Sequence, residues 1–142
     1  MPSTLHLLSN PTVVIYTATG MVAGSEAIAA ARDVRQLAAT APIRGFLVDF
    51  TNAERFSAST QDLRDLADVT VAISQHSQGA SLAVAASQDH VFGAARMWEV
   101  FAENVLWHVE LFRDAPSAVR WLGFSQPLHL GTPLATYGWP AA

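Results

Sequence analysis

Asp49, Ser59 and His90 supply the three side-chain types of a nucleophilic hydrolase. Asp49 closes an apolar run that reads as a strand, His90 follows another, and Ser59 opens a helical pattern. All three are therefore expected near the carboxyl edge of a sheet, where open α/β folds bind their ligands. Hydrolysis needs more than the trio: the serine must be presented on a sharp turn beside oxyanion donors. No serine of the chain lies in a Gly-x-Ser-x-Gly elbow. Cap and turn roles therefore explain Asp49, Ser59 and His90 better than catalysis.

Other chemistries are constrained in the same way. The chain has no cysteine, which removes disulfides, thiolate nucleophiles and thiolate metal sites. Its five histidines, His6, His76, His90, His108 and His129, form neither a His-x-x-x-His nor a His-x-His pair. No metal or other cofactor is expected from that spacing. Gly20 and Gly24 flank a strand-to-helix turn, but their spacing is neither a dinucleotide fingerprint nor a phosphate loop.

Arg96 stands on an otherwise apolar helical segment, with Glu99 and Glu103 three and seven positions on. It reads either as a surface ion pair of small energetic weight or as an anchor for an anionic group. Phe92, Met97, Trp98 and Phe101 nearby read as core, and as lining should a pocket exist.

Composition sets the frame for these residues. The 142 residues fit one domain, 51% of them are hydrophobic and 14% are charged. That balance supports a packed core and argues against disorder. The net charge of −4, with eight basic residues that form no cluster, disfavours nucleic acid. Met1 to Thr12 lacks the pattern of a signal peptide, and no apolar run is long enough to span a bilayer. A cytoplasmic location is expected.

The elements follow from periodicity. Leu5–Leu8, a turn at Ser9-Asn10-Pro11 and the β-branched stretch Thr12–Thr19 predict an antiparallel hairpin that ends at Gly20. A helix capped by Ser25 runs to Pro42, with Ala27, Ala30, Ala31, Val34, Leu37 and Ala38 on one face. Ile43–Phe50 and Leu82–Ala86 are unbroken apolar runs of the kind covered on both faces. A loop over Thr51–Ala58 leads to a helix capped by Ser59, with Asp62 three residues on. A helix over Val91–Asn104, an edge strand over Trp107–Phe112 and a short helix after Asp114 complete a β-β-α-β-α-β-α-β-α order. Alternating strands and helices predict an α/β domain with a mainly parallel sheet and one antiparallel hairpin strand. Residues 1–123 form that domain. Residues 124–142 have no charged side chain and contain Pro127, Pro133 and Pro140. They form a tail expected to pack on the domain or on a neighbouring subunit.

The segment Phe92-Gly93-Ala94-Ala95-Arg96-Met97-Trp98-Glu99, with Ala118-Val119-Arg120-Trp121-Leu122, resembles the SpoIIAA-like family of small bacterial proteins. That family is related to STAS and SEC14-type domains, and the resemblance covers roughly Thr4 to Gly123. It implies a STAS-like mixed sheet with helices packed on it. STAS domains imply protein–protein regulation, in their best-understood members through a phosphorylated serine in an Asp-Ser-Ser-Gly stretch. Here that stretch falls on Ser57-Ala58-Ser59-Thr60, with Ser59 at the serine position and without the Asp and Gly. SEC14-like relatives imply instead an apolar ligand held by helices over the sheet.

The leading expectation is a non-enzymatic regulatory or protein-interaction domain, with a protein partner or a dimer of itself. Its surface would include Asp49, Ser57, Ser59 and His90. The alternative is a small apolar-ligand or lipid-binding protein with a cavity around Phe92, Arg96, Met97 and Trp98.

Overall fold

The computed structural model describes residues 3–9, 12–124 and 130–138. Asn10 and Pro11 of the expected turn lie outside them, as do His129 and residues Pro127, Leu128 and Pro140 of the tail.

Ten elements follow in order: β1 (Ser3–Leu8), β2 (Val13–Ala23), α1 (Gly24–Thr40), β3 (Gly45–Ser57), α2 (Thr60–His76), β4 (Ser81–Ala85), α3 (Asp89–Phe101), β5 (His108–Phe112), α4 (Ala115–Leu122) and β6 (Ala135–Tyr137). They build one six-stranded sheet of order β5-β4-β3-β2-β1-β6. β2 to β5 are parallel neighbours, and β1 is antiparallel to both β2 and β6. The mixed α/β architecture of the sequence reading is present, and β5 lies at an edge of the sheet.

The uninterrupted apolar runs are explained by two cores. Val14, Tyr16, Phe46, Phe50, Leu82 and Val84 belong to a large core shared with α1, α2 and α3. The alternate residues Val13, Ile15, Leu47, Ala83 and Ala85 pack with Ala118 and Val119 of α4. Because side chains alternate across a strand, a run apolar at every position requires cover on both faces. Helix α4 gives that second cover, ending at Gly123 with a left-handed φ of 83° that suits glycine.

Several boundaries differ from the sequence reading, and each has a local cause. β2 does not stop at Gly20 but runs to Ala23, absorbing register shifts at Thr17/Thr19 and Gly20/Met21 as it pairs with β3. β3 likewise passes through the expected loop to Ser57, so Asp49 does not end it. Pairing of two long strands outweighs the polar composition of Thr51–Ser57. Ser25 is not the cap of α1: the N-cap is Ala23, whose N–H donates to Glu26 Oε1 at 3.2 Å. Helix α3 begins at Asp89 and ends at Phe101, two residues before and three residues short of the expected bounds. β6 comes from the segment read as tail, where Leu134 N–H also donates to the Leu5 carbonyl at 2.7 Å. No helix among the described residues is long and apolar enough to cross a membrane.

Candidate functional site: an apolar cavity under three helices

The face of the sheet beneath α1, α2 and α3 is not fully packed. A cavity of about 120 Å³ remains over β2, β3 and β4. Tyr16, Val48 and Val84, which stand side by side in register, form its floor. Ala30 and Val34 of α1, Leu63 and Leu66 of α2, and Val91, Ala94, Ala95 and Trp98 of α3 form its roof. Val48 keeps accessible surface although it lies in a central strand beneath helices, and that surface belongs to the cavity. Ala31, Phe56, Leu66, Ala94 and Ala95, which also line it, are likewise half-buried.

Small roof residues are one cause of the space. Ala30, Ala31, Ala94 and Ala95 stand where longer side chains would reach the sheet. Volume left unfilled in a core costs roughly 24 cal/mol per Å³. The spacing of α1 and α2 is fixed elsewhere, where a Cβ added at Gly24 would meet Asp62 Oδ2 at 2.7 Å.

The polar groups of the wall are paired in all but one case. Tyr16 hydroxyl donates to Ser3 Oγ at 2.6 Å, and Ser3 Oγ donates to Glu26 Oε2 at 3.1 Å. This buried column runs from the cavity floor to a surface groove bordered by Met21, Ser25, Glu26, Ser57 and Tyr137. Burial pushes the Tyr16 hydroxyl up to about 12, with the Glu26 charge adding to the rise and the Ser3 hydrogen bond opposing it. Thr70 Oγ1 donates to the Leu66 carbonyl at 2.7 Å, and Trp107 Nε1 donates to the Ser77 carbonyl at 2.8 Å. Trp98 Nε1 is buried with no acceptor among the described residues.

The residues singled out from sequence divide clearly. Trp98 is 6% exposed and lines the cavity. Met97 is 44% exposed and does not. Phe92 is half-buried under two guanidinium groups, Arg113 at 4.1 Å and Arg96 at 5.4 Å from its ring centroid. Arg96 is exposed and forms no ion pair with Glu99 or Glu103; Arg113 pairs with Asp89 at 2.7 Å. The cavity therefore lies apart from Phe92, Arg96 and Met97: Arg96 and Met97 are exposed, and Phe92 packs half-buried against the core without lining the space.

Asp49, Ser59 and His90 are not joined to one another by any hydrogen bond among the described residues. Asp49 Oδ1 accepts from Thr51 N–H at 3.0 Å and from Thr51 Oγ1 at 2.6 Å. Ser59 Oγ accepts from Asp62 N–H, and Asp62 Oδ2 accepts from Ser59 N–H, both at 3.0 Å. That reciprocal pair is a complete capping box at the start of α2. His90 is exposed in the first turn of α3, and Ser57 is exposed at the end of β3. No group of three or more His, Asp or Glu among the described residues could hold a metal ion.

Sequence reasoning missed the floor and most of the roof. Tyr16 and Val48 stood there only as members of strand runs, and Ala94 and Ala95 as part of the family-like segment; one signal was present, the small residues Ala27, Ala30, Ala31 and Ala38 on one face of the first helix.

No family model matches the chain, and no curated protein matches it. Among solved structures it is similar to an uncharacterised protein of the DUF3478 family with a SpoIIAA-like fold, from Shewanella loihica PV-4. The TM-score is 0.55 at 15% sequence identity, over 84% of this chain and 91% of that one. The likeness is one of fold: the chain has a SpoIIAA-like α/β fold.

Proposed function

We propose that this protein is a non-catalytic binding domain whose cavity beneath α1, α2 and α3 takes a small apolar molecule. The observation that carries the reading is the cavity itself: about 120 Å³, apolar, and crossing the central strands rather than a loop. An apolar cavity of roughly 150 Å³ is known to stay dry and to accept benzene. The occupant in this conformation is therefore of the size of one six-membered ring or a short branched chain. A long acyl chain would need α2 and α3 to separate. The mutual pairing of Ser59 and Asp62 and the bonding of Asp49 to Thr51 support binding over hydrolysis, since both potential catalytic groups are engaged locally.

Titration with benzene, followed by methyl NMR, tests the reading. Saturable shifts are expected at Val48, Leu66, Ala94 and Ala95. The melting temperature should rise with ligand, because a ligand at 100 times Kd stabilises the native state by about 2.7 kcal/mol. Ala94→Leu, which fills the roof, should abolish both effects. Absence of saturable shifts in the unsubstituted protein would refute the proposal.

A second reading, a protein-interaction domain of the cytoplasm, rests on a different observation. Val100 at 67%, Leu106 at 46% and Met97 at 44% exposure place large apolar side chains on and just beyond α3. Met97 and Val100 stand three residues apart and so share a helix face, and an apolar patch of that kind, where contiguous, marks a contact site. Sedimentation velocity of the unsubstituted protein and of Val100→Glu checks for self-association through it.

A further inference from the structure

Strand β5 ends the sheet on one side, and no described residue pairs with its outer edge. Its inner edge is occupied: His108 N–H donates to the Ala80 carbonyl at 3.0 Å, and the Phe112 carbonyl accepts from Ala86 N–H at 2.9 Å. Backbone groups of successive residues in a strand face opposite neighbours. The N–H and C=O groups of Val109 and Leu111 therefore face outward, with no partner among the described residues. An edge of this kind is a template for another strand unless charge, proline or a bulge blocks it. β5 contains no proline, and its register with β4 is unbroken. Val109 and Leu111 pack half-buried against the large core, whereas the alternate residues His108 and Glu110 are exposed. An imidazole and a carboxylate two residues apart complement each other when the strand meets a reversed copy of itself.

We infer that the outer edge of β5 pairs antiparallel with β5 of a second copy of this chain, about a two-fold axis at Val109. In that register Val109 faces its own counterpart, and the two exchange their outward N–H and C=O groups. His108 of each copy stands opposite Glu110 of the other, in the closely spaced kind of pair that carries no backbone bonds. An imidazole N–H donates to a carboxylate whether the ring is neutral or charged. Moving the axis to Glu110 sets the two Glu110 carboxylates opposite each other, which like charge disfavours. Axes at His108 or Leu111 leave Glu110 opposite Leu106 or Phe112. The polar residues of this edge thus select one register with a second copy rather than repel it. Val109 also lines a surface groove with Trp98, Val105 and Trp107, so the added strand covers apolar surface there. The inference is independent of the cavity and its ligand, because β5 contributes no residue to that space.

Sedimentation velocity across the micromolar range, with amide hydrogen exchange followed by NMR, tests it. An interface of this modest size belongs to weak association, so a monomer–dimer equilibrium is expected. The Val109 amide should exchange more slowly as protein concentration rises. His108→Glu and Glu110→Lys each alter both symmetric pairs, and each alone should raise the dimer Kd by about tenfold. An equimolar mixture of the two variants should regain dimer, because the introduced carboxylate of one faces the introduced ammonium of the other. Both positions are exposed, and the exchange measurement on the unsubstituted protein needs neither variant. Monomer throughout the range overturns the inference. A dimer in which Val109 exchanges at the same rate at every concentration overturns it too. Dissociation by Val100→Glu and by neither β5 variant assigns self-association to α3 instead. A mixture no more dimeric than either variant alone rejects the pairing of His108 with Glu110.

Discussion

At the scale of single residues, the informative side chains are the buried polar ones. Tyr16 and Tyr137 are the two tyrosines of the chain, and both hydroxyls are raised in the folded protein. Burial is the first cause in each case, and for Tyr137 the hydrogen bond it donates to Asp33 adds to it. A hydroxyl that holds its proton more tightly when folded contributes stability that is complete below the unfolded value near 10. For Tyr16 that contribution is lost as pH rises from about 10 through about 12. Tyrosinate absorbance should therefore appear together with unfolding, and Tyr16→Phe should flatten the alkaline limb of a stability–pH curve. Tyrosinate forming in the native protein near pH 10 would contradict this. Ser59 makes a separate case. Its replacement by alanine removes one half of a capping box and should cost about 1 kcal/mol in urea unfolding. A phosphate on Ser59 would stand beside the Asp62 carboxylate that already bonds to the Ser59 N–H. Phosphorylation is thus expected to lower the melting temperature, which phosphorylated protein made by genetic encoding can check.

Among the elements, α3 stands out. Its buried residues are Val91 and Trp98 alone, while Ala94 and Ala95 are half-buried over the cavity. Gly93 lies in its second turn, exposed, with open space where a Cβ would project. Packing does not require glycine there, and glycine within a helix costs about 1 kcal/mol relative to alanine. Gly93→Ala should raise stability by about 0.5–1 kcal/mol. It should also slow ligand exchange if α3 moves to admit the ligand, and line-shape analysis of the benzene titration measures that rate. The helices α1 and α2 contrast with it: Gly24 against Asp62 locks their amino ends. A binding element is commonly drawn from the less stable part of a fold.

Across the whole molecule, the sheet depends on a strand from far along the chain. β6 pairs with β1, Tyr137 reaches Asp33 of α1, and the Tyr137 ring lies 6.3 Å from that of Tyr16. Leu130 and Phe124 pack against the smaller core under α4. Ending the chain after Gly123 would expose the backbone edge of β1, and an open edge invites pairing with another chain. A lower melting temperature and larger species in sedimentation are expected; an unchanged profile in both would count against it.

The sequence by itself determined the order of the first nine elements, because unbroken apolar runs and helical spacing report how each element is covered. It also shows that a cysteine, a Gly-x-Ser-x-Gly elbow, a phosphate-loop spacing and a histidine-pair spacing are absent, since these are properties of residue order. Trp98 was legible as lining and Ser59 as a cap, each from its place in a periodic pattern. Tertiary structure alone decided the rest. Strand pairing carried β2 and β3 past Gly20 and Asp49, where local composition indicated an end. β6 became a strand through a partner some 130 residues away, which no window of sequence contains. The cavity is a difference between volumes contributed by seven elements, so no single stretch of chain can announce it.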